Sequence, residues 1–385
     1  MIAVSGIGAL TPLGDTPDAI FAAALEGRSG ATAIPDFDAT KYAKVRGMRM
    51  YNRTTQLAIC AAKLALADAK VEDTSIAGED LGLFMASTYG HLDVLIDYDR
   101  SLVTNGLLRT NGALMPLAIP SAPGAMVALA LGAKAFSMTF CDNAASFLDA
   151  MAFAARWIED GRARACVVVG AFSASAGISL AATRAGILAP VEGQRIFDRK
   201  SAGTAIGEGS VAFVLERSED AVKRGAHIHG HISGFGSTFA GKPELIQSAL
   251  HRAAAGAMRS ANVTADQLAL VSSGASGLLA FDRAEAQALS TLLGERAAHT
   301  PLTAVKGNLG ETLDAAGGFQ SLIALYSIKQ RKAPPIARFV DAEVPGLKYL
   351  TKEEPVNGRY ALITSVSWGG ACSALVLSGG DHDRS

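Results

Sequence analysis

Short apolar runs alternate with longer stretches of helical period along the whole chain. Ile2 to Gly14 reads as a buried strand running into a glycine-rich turn. Thr55 to Lys70 is an amphipathic helix, and Leu81 to Gly90 is the next strand. A proline-punctuated loop from Met115 to Gly124 leads into a helix over Ala125 to Leu131. Phe136 to Phe140 is a short β-prone run followed by the capping pair Asp142-Asn143. Phe147, Leu148, Met151, Ala155 and Ile158 then keep a helical period until Asp160-Gly161 ends it. Ala165 to Ala171 reads as a strand buried on both faces. Charge and glycine rise over Arg217 to Gly225, predicting a linking helix. His227 to Gly236 then echoes the opening strand and turn. The pattern predicts an α/β protein in two pseudo-equivalent halves, 1–220 and 221–385, with helices packed on mostly parallel sheets.

Composition sharpens this. A chain of 385 residues exceeds one ordinary domain but suits two similar halves of one compact unit. Apolar residues at 49% against 18% charged supply a large core, and 40 glycines imply many tight turns. A net charge of −1 argues against nucleic acid or an anionic membrane as general partners. The longest apolar stretch, Ala163 to Ala182, is interrupted by glycine and serine, which predicts a strand and loop rather than a membrane span. Cys60, Cys141, Cys166 and Cys372 form no zinc or disulfide pattern, so with no leader at Met1 a reduced cytoplasm is the expected home.

Three further groups invite chemistry. His227, His229 and His231 alternate as on one strand face, but no nearby carboxylate or cysteine completes a metal set, and no metal is expected. His91, His251, His299 and His382 read as surface or core residues. Arg46, Arg49 and Arg53 precede the first long helix. They are either an ordinary solvated face or a docking patch for an acidic partner.

The strand–turn–helix over Phe136 to Gly161 resembles the nucleophile turn of the β-ketoacyl synthases, where exposed amides and the helix dipole favour a thiolate. That family reads Thr-Ala-Cys-Ser-Ser-Gly there, before a helix ending near Gly-Asp-Ala-Asp. Counting back from Gly161 without gaps puts the family's cysteine on Ala144. Phe197, Asp198, Gly203, Gly207, Glu208 and Gly209 fall in register with Phe-Asp-x-x-Arg-Asp-Gly-Phe-x-x-Gly-Glu-Gly, although Lys200-Ser201 replace Arg-Asp. Arg184 falls where related synthases carry a carrier-contacting arginine. Thr364 to Leu375 resembles the closing Ser-Phe-Gly-Phe-Gly-Gly-Thr-Asn motif, placing Trp368 on the phenylalanine that gates the pocket.

The resemblance implies a thiolase-type fold, mixed sheets layered between helices as αβαβα. It also implies a decarboxylative condensation needing one thiolate and two imidazoles. Alignment through Asp282 and Glu285 puts the first histidine on Gly274. The second, in Lys-Ser-x-x-Gly-His, falls on Glu311, while Lys306 remains. A methyl, a hydrogen and a carboxylate thus replace all three reacting groups, and a Lys306–Glu311 pair keeps the site neutral. No catalytic residue and no cofactor is expected.

Such a chain resembles the chain-length factor of type II polyketide synthases, whose turn keeps a Leu-Asp-Ala ending like Leu148-Asp-Ala150 but commonly has Gln where Ala144 stands. The implied partners are an active ketosynthase, in a heterodimer sharing an acyl channel, and an acyl carrier protein. Met115, Met138 and Phe140 are the expected channel floor, with Trp368 as gate. Arg46, Arg49, Arg53 and Arg184 are the expected carrier contacts. The small turn suits a linear polyene or fatty chain. Two other readings stay open: an active acyltransferase using Cys141, three residues before the expected position, and a stand-alone binding protein on the same scaffold.

Overall fold

A computed structural model describes residues 1–30, 32–71, 76 and 78–380. The first half carries strands β1 (Ile2–Leu10), β2 (Leu81–Ala86), β3 (Phe136–Phe140), β4 (Ala165–Phe172) and β5 (Gly209–Arg217). Its helices are α1 (Pro17–Leu25), α2 (Arg53–Asp68), α3 (Leu92–Asn105), α4 (Ala122–Leu131), α5 (Ser146–Glu159), α6 (Ala176–Arg184) and α7 (Ser218–Lys223). The second half carries β6 (Gly230–Phe239), β7 (Leu268–Ser272), β8 (Pro301–Thr303), β9 (Lys332–Ala333), β10 (Lys348–Tyr349), β11 (Glu354–Pro355), β12 (Tyr360–Val366) and β13 (Ala371–Gly379). Its helices are α8 (Ile246–Ala261), α9 (Leu279–Leu293), α10 (Lys306–Leu309) and α11 (Ala316–Gln330).

Eleven strands form one continuous sheet in the order β10-β8-β7-β12-β13-β6-β1-β5-β4-β2-β3. Cut between β6 and β1, the halves repeat one plan. In each, the first strand lies antiparallel to the last, that one is antiparallel to a neighbour, and two more follow in parallel, with the short β10 added beyond them in the second half. The sheet is therefore mixed, not mostly parallel, because the strand closing each half returns beside the strand that opened it. The position 220/221 falls within α7.

Three apolar layers hold the sheet. The helices α2 and α4 cover the outer face of the first half with Leu57, Ile59, Ala61 and Val127. On the outer face of the second half lie α8 and α9. Between the halves run α5 and α11, whose Phe147, Met151, Phe319, Leu322 and Ile323 join the largest cluster. Every residue of α11 from Ala316 to Ile328 is buried, as expected of a helix enclosed on all sides. The layering is the αβαβα arrangement of the thiolase-type fold.

Helix boundaries moved where caps decide them. The side chain of Asn52 accepts from the Thr55 amide, so α2 begins at Arg53 and takes that arginine into its first turn. Of the three alternating histidines only His231 lies on β6; His227 and His229 precede it. Among the described residues no three His, Cys, Asp or Glu side chains converge as a metal site. His229 instead pairs with Asp68 at 2.7 Å, a carboxylate brought in from the end of α2. His299 is exposed and His251 half-buried, while His382 lies outside the described residues. No helix among the described residues is long and apolar enough to cross a membrane, and Ala163 to Ala182 forms β4 and part of α6.

Candidate active site

The turn after β3 places Ala144 at the foot of α5. Asn143 adopts a left-handed φ of 52° and Ala144 is buried, its carbonyl accepting from Ser365 Oγ at 2.8 Å. The methyl group points into packed protein and offers no lone pair. Gly274 is equally closed. A β-carbon there would meet the Thr364 carbonyl oxygen at 2.6 Å and Ser365 Cα at 2.9 Å, so no side chain fits without moving β12.

The loop after β7 that carries Gly274 is braced by two buried carboxylates on α9. Glu285 accepts from Ser273 Oγ, the Gly274 amide and Thr364 Oγ1 at 2.6, 3.0 and 2.6 Å. Asp282 accepts from the amides of Phe197, Ser276 and Gly277. Burial pushes the Asp282 carboxyl up to about 7 despite those donors.

Glu311 and Lys306 meet at 2.7 Å with both side chains buried. The other Glu311 oxygen accepts from the Leu313 amide at 2.9 Å. The Glu311 backbone joins residues 205–207, its amide donating to the Ala205 carbonyl and its carbonyl accepting from Gly207. Gly207 permits this close approach, since a β-carbon there would fall 1.8 Å from the Leu309 oxygen.

A fourth acidic group escaped sequence reasoning. Asp314, three residues beyond Glu311, accepts from the Thr88 amide and hydroxyl at 2.9 and 2.6 Å, and from Ser146 Oγ at 3.3 Å. It is fully enclosed, so burial raises its carboxyl to about 7 and the nearby Glu311 charge adds to the rise. Its signal was an acidic residue immediately before the Ala-Ala-Gly that opens the all-buried α11. His91, read as surface or core, is a buried wall of the same region. Its Nδ1 donates to the Leu117 carbonyl at 2.9 Å, so Nε2, 2.7 Å from Thr55 Oγ1, accepts the threonine proton. Both nitrogens are committed, and burial lowers its pKa.

Cys141 is exposed rather than buried, and its thiol donates to the Ser87 carbonyl at 3.3 Å. Partial desolvation raises its pKa, and the carboxylates of Asp314 and Asp142 push the same way. A thiolate at this turn is disfavoured.

The remaining predicted residues separate. Trp368, half-buried, lines an apolar groove of about 200 Å3 with Tyr89, Leu92, Ile178, Ala181 and Ile187. A neighbouring cavity of about 110 Å3 has Asp314 among its walls. Met115, Met138 and Phe140 line neither: Met115 is 46% exposed, and the other two pack from β3 onto the α5 side of the sheet. Arg53 is not a free docking charge. Its guanidinium holds both oxygens of buried Glu208 at 2.7 Å, donates to the Ile34 carbonyl and lies over the Phe37 ring. Arg46, Arg49 and Arg184 are exposed.

With this geometry in hand, two family models match: the beta-ketoacyl synthase N-terminal domain over residues 44–221 and the C-terminal domain over residues 226–340. The chain belongs to the β-ketoacyl synthase family. A 3-oxoacyl-[acyl-carrier-protein] synthase 2 of Synechocystis sp. is 27% identical over 360 residues, spanning 87% of this chain and 86% of the relative. The tetracenomycin polyketide synthase ketoacyl synthase alpha subunit of Streptomyces glaucescens is 28% identical over 424 residues, spanning all of this chain and 98% of the relative. Among solved structures, the ishigamide ketosynthase/chain length factor superposes with a TM-score of 0.90 at 20% identity, covering 98% of this chain and 99% of that one. A β-ketoacyl synthase from Burkholderia phymatum gives 0.89 at 23% identity, covering 98% and 99%. These β-ketoacyl synthase likenesses agree with the thiolase-type layering.

Proposed function

We propose that this chain is a catalytically degenerate ketosynthase-like subunit that pairs with an active ketosynthase, shapes the acyl channel between them and works with an acyl carrier protein. The observation that carries the reading is the closure of the reacting site: a buried methyl at Ala144, no room at Gly274 and a buried Lys306–Glu311 ion pair. Condensation needs a nucleophile and donors that stabilise an enolate oxygen. A carboxylate at Glu311 and another acid at Asp314 oppose developing negative charge instead.

The surface supports a partner. Among the described residues β3 is an edge strand of the main sheet. Around it, on the last turn of α3 and over the segment that follows, Val103, Leu107, Leu108, Met115, Leu129 and Phe153 are exposed apolar side chains, Leu108 fully so. Met138 and Phe140 sit on that edge strand, so as channel floor they act across the interface. The tetracenomycin relative is named as an alpha subunit, and one structural neighbour couples a ketosynthase with a chain length factor. Another neighbour is a ketosynthase in complex with its acyl-carrier protein, and exposed Arg46, Arg49 and Arg184 are the charges we assign to carrier docking here. All four cysteines are free, which suits a reducing cytoplasm.

Co-expression with an active ketosynthase and a carrier protein tests the reading. The expected result is a stable 1:1 complex whose product length changes on replacing Met138 or Phe140. Absence of a complex, with unchanged product length, rejects it. The alternative, catalysis by Cys141, rests on that thiol's exposure. Condensation by the isolated chain that is abolished by Cys141→Ser would establish it.

A further inference from the structure

The cavity beside the altered turn does not have the lining of a hydrocarbon pocket. Thr54, Ser87, Tyr89, Ser173, Ser175 and Asp314 all contribute to its walls, and its volume of about 110 Å3 holds several waters or a small polar group. Thr54 Oγ1 and Ser173 Oγ stand 2.7 Å apart on one side of it, and Asp314, fixed by Thr88 and Ser146, closes another. The positive charge of Arg53, which also lines the cavity, is spent on Glu208. Asp93 lines it as well. Asn52 and His91 line it too, the histidine with its pKa lowered by burial and both ring nitrogens engaged. The cavity therefore presents hydroxyls, an amide and acids with its one arginine ion-paired, a lining that accepts neutral oxygen groups and disfavours carboxylates.

Tyr89, Leu92 and Ile178 line both this cavity and the apolar groove that Trp368 also lines. A polar cavity and an apolar groove of about 200 Å3 thus adjoin through three side chains. Ligand sites of this kind bury an apolar body and fix it through a few placed polar groups.

We infer that this composite site binds an acyl chain bearing a neutral oxygen substituent, its hydroxyl-bearing segment in the Thr54/Ser173/Asp314 cavity and its alkyl segment in the Trp368 groove. The acyl identity of the ligand rests on the proposed function, whereas the preference for a neutral oxygen rests on the lining alone.

The test uses the isolated full chain and titration calorimetry with three probes: the N-acetylcysteamine thioesters of 3-hydroxyoctanoate and octanoate, and free octanoate. The hydroxylated thioester should bind about fivefold to tenfold more tightly than the saturated one, and free octanoate most weakly. Replacing both hydroxyls together, Thr54→Val with Ser173→Ala, leaves no orphaned partner and should bring the first ratio to about one. Trp368→Ala should weaken both thioesters alike. Equal or reversed preference in the unaltered chain, tighter binding of the carboxylate, or no binding of either thioester overturns the inference. None of these outcomes bears on the 1:1 complex with a ketosynthase, whose failure is read separately from product length.

Discussion

Lys306 and Glu311 show how two opposite charges are tolerated together in a protein interior. Each charge is buried, and each is tolerated because the other stands 2.7 Å away. Removing one leaves an uncompensated charge in the interior, whereas removing both is often neutral. We predict that Lys306→Met alone costs about 3–5 kcal/mol of unfolding free energy while Lys306→Met with Glu311→Leu costs far less, read by chemical denaturation. Gly274 makes the complementary case. Gly274→Ala should destabilise by about 1–3 kcal/mol, because its methyl meets the Thr364 carbonyl; a cost under a few tenths would show the loop yields freely. Counting along motifs singles out Ala144, Gly274 and Glu311 but says nothing of their surroundings: that Gly274 lacks room depends on Thr364 and Ser365 of β12, distant in sequence and adjacent only in space. Asp314 was missed for the same reason, its partners Thr88 and Ser146 lying 226 and 168 residues distant.

At the scale of elements, sequence pattern located β1, β4, α5 and the strand–turn–helix at the site within a few residues, since each carries a strong period or a capping pair. It failed where a side chain's partner lies on another element. Arg53 looked like one of three surface charges, but α2 begins there and points it at Glu208, itself part of the Gly-Glu-Gly turn before β5. Arg53→Met should therefore lower thermal stability while Arg46→Glu with Arg49→Glu leaves it unchanged. In the same variants, carrier-protein association should weaken, and lose its salt dependence, only for the exposed pair. Equal loss of stability in both would contradict the separation. The three histidines failed similarly: the strand starts at Gly230, and His229 turns to Asp68 on α2.

For the whole molecule, the buried acids set a pH dependence. Asp282 and Asp314 titrate near 7 in the folded chain, and Asp149, buried with a hydrogen bond from Ser373, near 6. Unfolded aspartate titrates near ~3.9, so between these values the folded chain holds more protons than the unfolded one. Stability is then greatest at the acid end of that window and falls as pH rises through about 7. Denaturation at pH 5 and at pH 7.5 should show a loss of at least about 1 kcal/mol per titrating carboxyl. Asp314→Asn should flatten part of that fall; a slope of opposite sign would contradict the assignment. The two-half plan was legible because both halves repeat strand–helix alternation. That they share one sheet through β1 and β6 was not: the likeness of those two strands marks them as equivalent openings of the two halves, but not as antiparallel neighbours.

The central claim, that this chain carries no acyl nucleophile, is tested most directly by intact-protein mass after incubating the isolated chain with acyl-carrier protein loaded with a medium-length acyl group. The account predicts an unchanged mass for the isolated chain and, in a parallel incubation of its complex with a ketosynthase, an acyl adduct on the ketosynthase alone. A thioester adduct on this chain, mapped to Cys141, would contradict it.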